Sequence, residues 1–358
     1  MSNVLSGLQA GALPLHTRAL SVVVGCDPDG KLRARGDVID LRKNGCVPSV
    51  DDVQPAGIIH MMKIGLELDP ATLRMDHVDV EQPFVAVEPS KATGHECCRD
   101  PVPRLLALEG DRLDDGFTRR LSQAFGGPLG CSHLLTLFQL MASTVPHAMA
   151  LERARAEAED AATTPGTRFF RRSIYVDGES LSAGPLGVTI QLTDIHPRPP
   201  TPSSRGIERL VRAHEAKVFV EIERTRFRLE RLEVRERVRE LGDGADTPWT
   251  DHDAHFASLV GAPLIPGMAG RVFKLCGDEP DKHILQDALL QLAPGFIQIM
   301  AALMDHNFQD VKSAALADEP ATPSVSGVGG MPDSCYMWRR NSPYTLARRE
   351  AMMPRKPR

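Results

Sequence analysis

A chain of 358 residues holds two ordinary domains or one large one, and its 42% hydrophobic and 25% charged residues are the composition of a globular fold. A net charge of −5 leaves no basic excess to neutralise phosphates, which argues against a nucleic-acid partner. The seven cysteines are odd in number and scattered, so they read as free thiols of a reducing cytoplasm rather than a disulfide framework.

The start, MSNVLSGLQAGALPLHTRAL, has neither the basic flank nor the apolar core of a signal peptide. No run approaches the roughly 20 apolar residues of a membrane span, so no membrane association is expected. Alternation of apolar and polar residues predicts strands near 18–42, 57–69 and 73–89. Helical spacing follows in GFTRRLSQAF (116–125) and in the long stretch HLLTLFQLMASTVPHAMALERARAEAEDA (133–161). AEDAATTPGT (158–167) marks a junction. Strands are expected again near 168–176, 186–196 and 215–238, the last long enough to be a hairpin or an extended edge. GMAGRVFKLC (267–276) and HILQDALLQLAPGFIQIMAALMDHNF (283–308) are helical in spacing. The segment 317–334 reads as a flexible connector to a short tail, CYMWRRNSPYTLARR, rich in aromatic and basic residues.

The two halves echo one another. GIIHMMKIGLELD (57–69) matches VRAHEAKVFVEIE (211–223), setting His60 against His214 at an offset of 154. DVIDLR (37–42) and QLTDIH (191–196) set Asp40 against Asp194 at the same offset. LLALEGDRLDDGFTRRL (105–121) and FASLVGAPLIPGMAGRV (256–272) set Gly110 against Gly261 at 151. GCSHLLTLFQLMAS (130–143) and PDKHILQDALLQLA (280–293) set His133 against His283 at 150. Four anchors in one order predict a tandem duplication. The expected fold is α+β: two repeats, each a small antiparallel sheet with two helices on one face, packed as an intrachain pseudo-dimer. The predicted boundaries are 1–157 for the first repeat, 158–167 for the linker, 168–316 for the second, diverged repeat and 317–358 for connector and tail.

HMMKIGLEL (60–68), Cys98, Gly110, DDG (114–116) and GCSHL (130–134) follow a pattern similar to HDM…C…GCTHL. In these residues the chain resembles a bacterial domain family of unknown function, over residues 16 to 150. The resemblance implies a setting in aromatic or steroid breakdown. A fainter likeness is to the NifU-like iron–sulfur scaffold, which implies His60, Cys98 and Cys131 as ligands, although Ile58 stands where that scaffold has another.

Two chemistries compete at these residues. His60, Cys98, Cys131 and His133 are a donor set suited to zinc or iron, but they lack the C-x-x-C or H-x-x-x-H spacing of a finger. The histidines persist in both halves while the cysteines do not, which favours His60 and His133 as general acid and base oriented by Asp40. Each also has a plainer reading: Cys131 as a small buried hydrophobe, His133 as a residue at a helix entrance. Met61, His214, Trp249, His283, Tyr336 and Trp338 are candidate substrate contacts, the last two on a tail that could close over an apolar cleft. His252 and His255 could line a pocket or an exposed loop. No phosphate-binding loop, dinucleotide fingerprint or G-x-S-x-G elbow is present, and no organic cofactor is expected.

These features predict a small-molecule enzyme, a lyase cleaving a C–C bond of an aromatic, lignin-type substrate. The reaction would be of retro-aldol or decarboxylation type and run by histidine acid–base chemistry. A metal or iron–sulfur carrier and a non-catalytic dimerisation module are the alternatives, and a homodimer is compatible with the sequence.

Overall fold

The structure is a computed structural model, described here for residues 12–48, 50, 53–181, 184–202, 206–240, 246–277, 279, 282–306 and 331–352. Nine strands form one sheet in the order β4-β3-β2-β1-β5-β6-β7-β8-β9. They are β1 (Leu13–Cys26), β2 (Leu32–Pro48), β3 (Val53–Leu68), β4 (Met75–Phe84), β5 (Arg168–Ser180), β6 (Leu186–Pro197), β7 (Leu210–Ile222), β8 (Leu229–Glu240) and β9 (Thr250–Asp251). Every neighbouring pair is antiparallel. The fold is therefore α+β, as the sequence indicates.

The two small sheets expected from the sequence are the halves of this one sheet. They join edge to edge where β1 pairs with β5, from Leu13 opposite Ser180 to Gly25 opposite Arg168. Each half contributes a four-stranded meander where three strands were expected, and the second half adds the short edge strand β9 beside β8. The predicted strand 18–42 is a hairpin, turned at Asp27–Lys31, where the Asp27 carboxylate accepts the Asp29 and Lys31 amides at 3.0 and 2.9 Å and Gly30 takes φ 81°. The long alternation at 215–238 resolves as the β7–β8 hairpin, with Glu223 accepting from the amides of Thr225 and Arg226.

Helices cover one face. They are α1 (Val102–Leu106), α2 (Phe117–Phe125), α3 (Ser132–Ala158), α4 (Asp253–Phe256), α5 (Met268–Cys276), α6 (His283–Leu290), α7 (Leu292–His306) and, in the tail, α8 (Pro343–Met352). The period of two along each strand decides what they cover. On β1, Leu20, Val22 and Val24 are buried, as are Ala34 and Val38 on β2 and Met62, Ile64 and Leu66 on β3. Leu134, Leu137, Phe138 and Met141 of α3 close over them. The opposite face carries surface ion pairs such as Lys63–Glu81 at 2.8 Å and Lys31–Glu67 at 3.1 Å.

The long helices cross the seam. α7, from the second half, packs on β1 and β2 as well as β5, while α3 reaches β5 and β6. α3 and the stretch His283–Leu303 are, by length and composition, apolar enough to span a membrane, which corrects the expectation that no such run exists. Both are core helices here, with 50% and 56% of their most apolar windows buried in the protein.

Candidate functional site

At one end of each half the helix-facing positions of the strands change from aliphatic to ionisable. In the first half these are His16 and Arg18 on β1, Asp40 and Arg42 on β2, and His60 on β3, all buried. The register places Arg18 and His60 on either side of Asp40. The second half repeats the placement: Arg172 opposite Asp194, and Asp194 opposite His214. The helix entrances then bring His133 and His283 down onto the two carboxylates.

Asp40, fully buried, is the hub of the first cluster. Its Oδ1 accepts from His16 Nε2 at 3.0 Å, and its Oδ2 lies 3.1 Å from His133 Nε2, 3.4 Å from Arg18 Nη1 and 3.8 Å from His60 Nδ1. Burial pushes the Asp40 carboxyl up, but Arg18, His133 and His16 outweigh it and hold the group well below the usual carboxylate range. His60 and His133 stack with ring centroids 3.9 Å apart and planes tilted by 32°.

The two imidazoles part company electrostatically. Burial lowers both. For His133 the charge and hydrogen bond of Asp40, with Cys131, prevail and raise it to about 9. For His60 the neighbouring His133 adds to burial, and the more distant Asp40 does not compensate, so it falls well below 6.5. At neutral pH the pair is one imidazolium against one neutral imidazole, the separation that distinguishes an acid from a base.

Cys131 sits at the N-cap of α3, 3.8 Å from both His133 Nδ1 and Met62 Sδ. Burial raises its thiol, but His133 and the first amides of α3 prevail and the net shift is downward. The loop before it needs a glycine: a Cβ on Gly130 would stand 2.1 Å from the Phe125 carbonyl oxygen. Across the seam, the Gln298 amide of α7 reaches within 3.1 Å of His133 Nε2.

A cavity of about 120 Å³ opens beside this cluster. His60, His133, Cys98 and Cys131 form its inner wall, and Tyr336 and Trp338 of the tail its outer one. The tail is tied down where the Tyr336 amide donates to Gly130 O at 2.7 Å and Arg339 pairs with Glu96 at 2.6 Å. Trp338 and Tyr344 meet edge to face at 5.2 Å. The connector, 317–334, lies outside the described residues except for 331–334.

Other expected site residues lie elsewhere. Met61 alternates to the sheet face opposite Met62 and is not in the cavity; Met62 is the residue that meets Cys131. Trp249 is not there either: it lies under the cations of Arg237, Lys217 and Arg235, at 4.5, 5.0 and 5.1 Å from its ring. His214 and His252 grip Glu236 at 2.8 Å each, and His255 bonds to Leu275 O. The expected metal donors His60, Cys98, Cys131 and His133 do not gather as one set among the described residues. The donors that lie within 4.8 Å of one another are those of Asp40, His60 and His133. Burial drives the Cys98 thiol well above its usual range, which disfavours a thiolate ligand there.

His283 belongs to a second cluster with Asp194 and His147, whose donors also lie within 4.8 Å. His147 comes from α3 in the first half, 151 positions before Gln298, so each cluster borrows one residue from the other half's long helix. The charge state differs. Arg172 forks Asp194 at 2.7 and 2.6 Å and also pairs with Asp287. Burial, His283 and Arg172 then depress His147 to about 2. Its carboxylate is forked by a guanidinium, whereas Asp40 meets Arg18 through one longer contact and shares its oxygens with His16 and His133. Sequence reasoning missed His16, Arg18, Arg42, His147 and Gln298; for Arg18 with Arg172, the offset of 154 was available as a signal.

Residues 16–146 match a family described as a protein of unknown function, DUF2889. That span holds Asp40, His60, Cys131 and His133, and ends just before His147. No curated protein and no solved structure matches the chain, so the likeness to an iron–sulfur scaffold has no counterpart among the comparisons.

Proposed function

We propose that the protein is a small-molecule lyase that cleaves a C–C bond of an aromatic substrate by histidine acid–base catalysis. The observation that carries this reading is a pair of imidazoles stacked 3.9 Å apart at the wall of a largely apolar cavity, one of them 3.1 Å from the buried Asp40 carboxylate, which favours its charged form, while burial favours the neutral form of the other. In a retro-aldol step, neutral His60 takes the proton of a β-hydroxyl. The C–C bond breaks as the new carbonyl forms, and its electron pair passes into the adjoining carbonyl, whose oxygen is protonated by His133. A terminal hydroxymethyl group would leave as formaldehyde. In the decarboxylation variant carbon dioxide leaves and His133 protonates the resulting carbanion. Neither route needs an organic cofactor. The cavity suits about one aromatic ring, since a void on the order of 150 Å³ accommodates benzene.

The test is turnover by His60→Ala and His133→Ala on β-hydroxy aryl ketones, followed as aldehyde release. Removing an acid or base of this kind costs about 10²–10⁴ in rate. Folded variants that keep full turnover would sink the proposal.

A second reading is a metal centre, favoured by the convergence of Asp40, His60 and His133. Against it stands Arg18, whose cation is 3.4 Å from the same Asp40 oxygen. Elemental analysis of protein purified without a histidine tag separates the two. Near-stoichiometric zinc or iron, lost on His60→Ala, would favour a metal centre at these three residues.

Two narrower inferences accompany this. The matching registers of Asp40 with His60 and Asp194 with His214 support descent of the halves from a tandem duplication. The six described cysteines, all free, support residence in a reducing cytoplasm.

A further inference from the structure

We propose that Cys131 and Cys335 are a redox couple, oxidised by a hydroperoxide to a disulfide that latches the tail over the cavity. The couple is independent of the acid–base reading, since it involves neither His60 nor a substrate.

The two cysteines are 204 positions apart in the chain, and a backbone contact brings them together. The Tyr336 amide donates to Gly130 O at 2.7 Å. This bond joins the peptide group between 335 and 336 to the one between 130 and 131, both of them trans. In a trans peptide the N–H lies on the side of the preceding Cα and the carbonyl oxygen on the side of the following one. Both cysteine Cα atoms therefore flank the bond, and standard peptide dimensions hold them within about 7 Å of each other. Disulfides usually span Cα separations of about 4.4–6.8 Å.

Both residues also line the cavity, so they face one space. Cys131 is buried, Cys335 is half-buried, and both are free thiols. Cys131 Sγ touches Met62 Sδ and His133 Nδ1 only at 3.8 Å, weak contacts that a turn about its χ1 gives up at little cost. A void of about 120 Å³ has room for a hydroperoxide beside the sulfurs, since a water occupies about 30 Å³. Cys98 lines the same wall but is held by its amide to Val87 O, which makes it the internal control.

The chemistry balances with the peroxide as the only oxidant. One cysteine sulfur attacks the O–O bond, becomes a sulfenic acid and releases water. The other thiol attacks that sulfur, the S–O bond breaks and a second water leaves with the remaining thiol proton. The tail is otherwise held by reversible contacts, such as Arg339 with Glu96. The new bond would pin Tyr336 and Trp338 against the inner wall until a thiol reductant opens it. In the reducing compartment proposed above, a disulfide of this kind is transient and signals oxidant.

The experiment treats the folded full chain with stoichiometric hydrogen peroxide, blocks residual thiols with N-ethylmaleimide and maps tryptic peptides without reduction. Trypsin places Cys98, Cys131 and Cys335 on three different peptides. The peptides of Cys131 and Cys335 should appear linked, and dithiothreitol should separate them. Cys335→Ser and Cys131→Ser should each abolish the link, while Cys98→Ser keeps it. Hydrogen exchange over 331–352 should slow at least tenfold on oxidation and recover on reduction. The couple is overturned if no link forms, if Cys98 takes the place of either partner, or if the link appears only after urea unfolding. The latch is overturned if the link forms and exchange in the tail is unchanged. Should Cys131→Ser fail to fold, the native peptide map with Cys335→Ser and Cys98→Ser decides alone.

Discussion

Replacing Asp40 by Asn keeps the shape of the side chain and removes the negative charge at the centre of His16, Arg18, His60 and His133. In the native protein His133 is raised from 6.5 to about 9. That difference corresponds to roughly 3 kcal/mol of preference for the imidazolium. Without the carboxylate, burial is opposed only by Cys131, and His133 should shed its proton well below pH 9. Removing one partner of a buried ion pair typically costs about 3–5 kcal/mol. His133 can shed its proton, so the stranded charge is that of Arg18 alone, and the low end of that range is expected. The sign of the pH dependence follows from linkage. A raised histidine stabilises the fold fully below its unfolded value of 6.5, and that stabilisation is lost as pH rises through about 9. The stability gap between native and Asp40→Asn should therefore be widest at or below pH 6.5 and narrow toward pH 9, leaving a remainder from Arg18. Urea unfolding across that range and histidine-labelled NMR titration measure both quantities. A gap independent of pH, or a variant in which His133 still titrates near 9, would refute the argument.

The pH–rate profile should be bell-shaped, with its alkaline limb at about 9 as His133 loses its proton and its acid limb below 6.5 as His60 gains one; a single-limbed profile would remove one of the two roles. Gly178→Ala places a Cβ 2.3 Å from Ile299 Cδ1, next to Gln298 on α7. Overpacking of this kind costs about 1–3 kcal/mol in urea unfolding, and an unchanged midpoint would contradict the close packing of α7 on β5. Deleting residues 331–358 should leave the main core intact, since Val87, Met337 and Tyr344 form a separate small cluster. It should abolish aldehyde release through loss of Tyr336 and Trp338 from the cavity wall, with the urea midpoint of the main core kept; retained turnover would show that the tail is not a wall of the site.

The strand alternation, the helices and the recurrence of Asp40 and His60 as Asp194 and His214 were legible because each depends on local period and on repetition. The turn at Asp27–Lys31 carries an Asp-Gly signal, yet the alternation on either side stays in phase, and the hairpin reads as one strand. The joining of the two halves at β1 and β5 was not legible: nothing in an edge strand's side chains names the strand it pairs with. Met61 and Met62 show the limit in miniature. Both sit beside His60, and only the pleat decides that Met62 faces Cys131. Cys131 was the ambiguous residue, and its geometry places the thiol against His133 Nδ1 rather than in the Asp40 donor set. The contributions from across the seam, Gln298 and His147, depend on where the long helices land, which only packing fixes.

The two clusters share a plan but not a charge balance, and the difference turns on one arginine position. In the second half Arg172 binds both Asp194 oxygens and Asp287 as well, so the carboxylate is neutralised before any imidazole reaches it. His147 is then left neutral, with no anion free to hold a proton on it. In the first half Arg18 makes a single 3.4 Å contact to Asp40, and the space is taken by His16 and His133. The same carboxylate position thus raises a histidine in one half and is spent on a structural fork in the other. A cavity adjoins the half where the carboxylate still acts on an imidazole, which is where acid–base chemistry would need it.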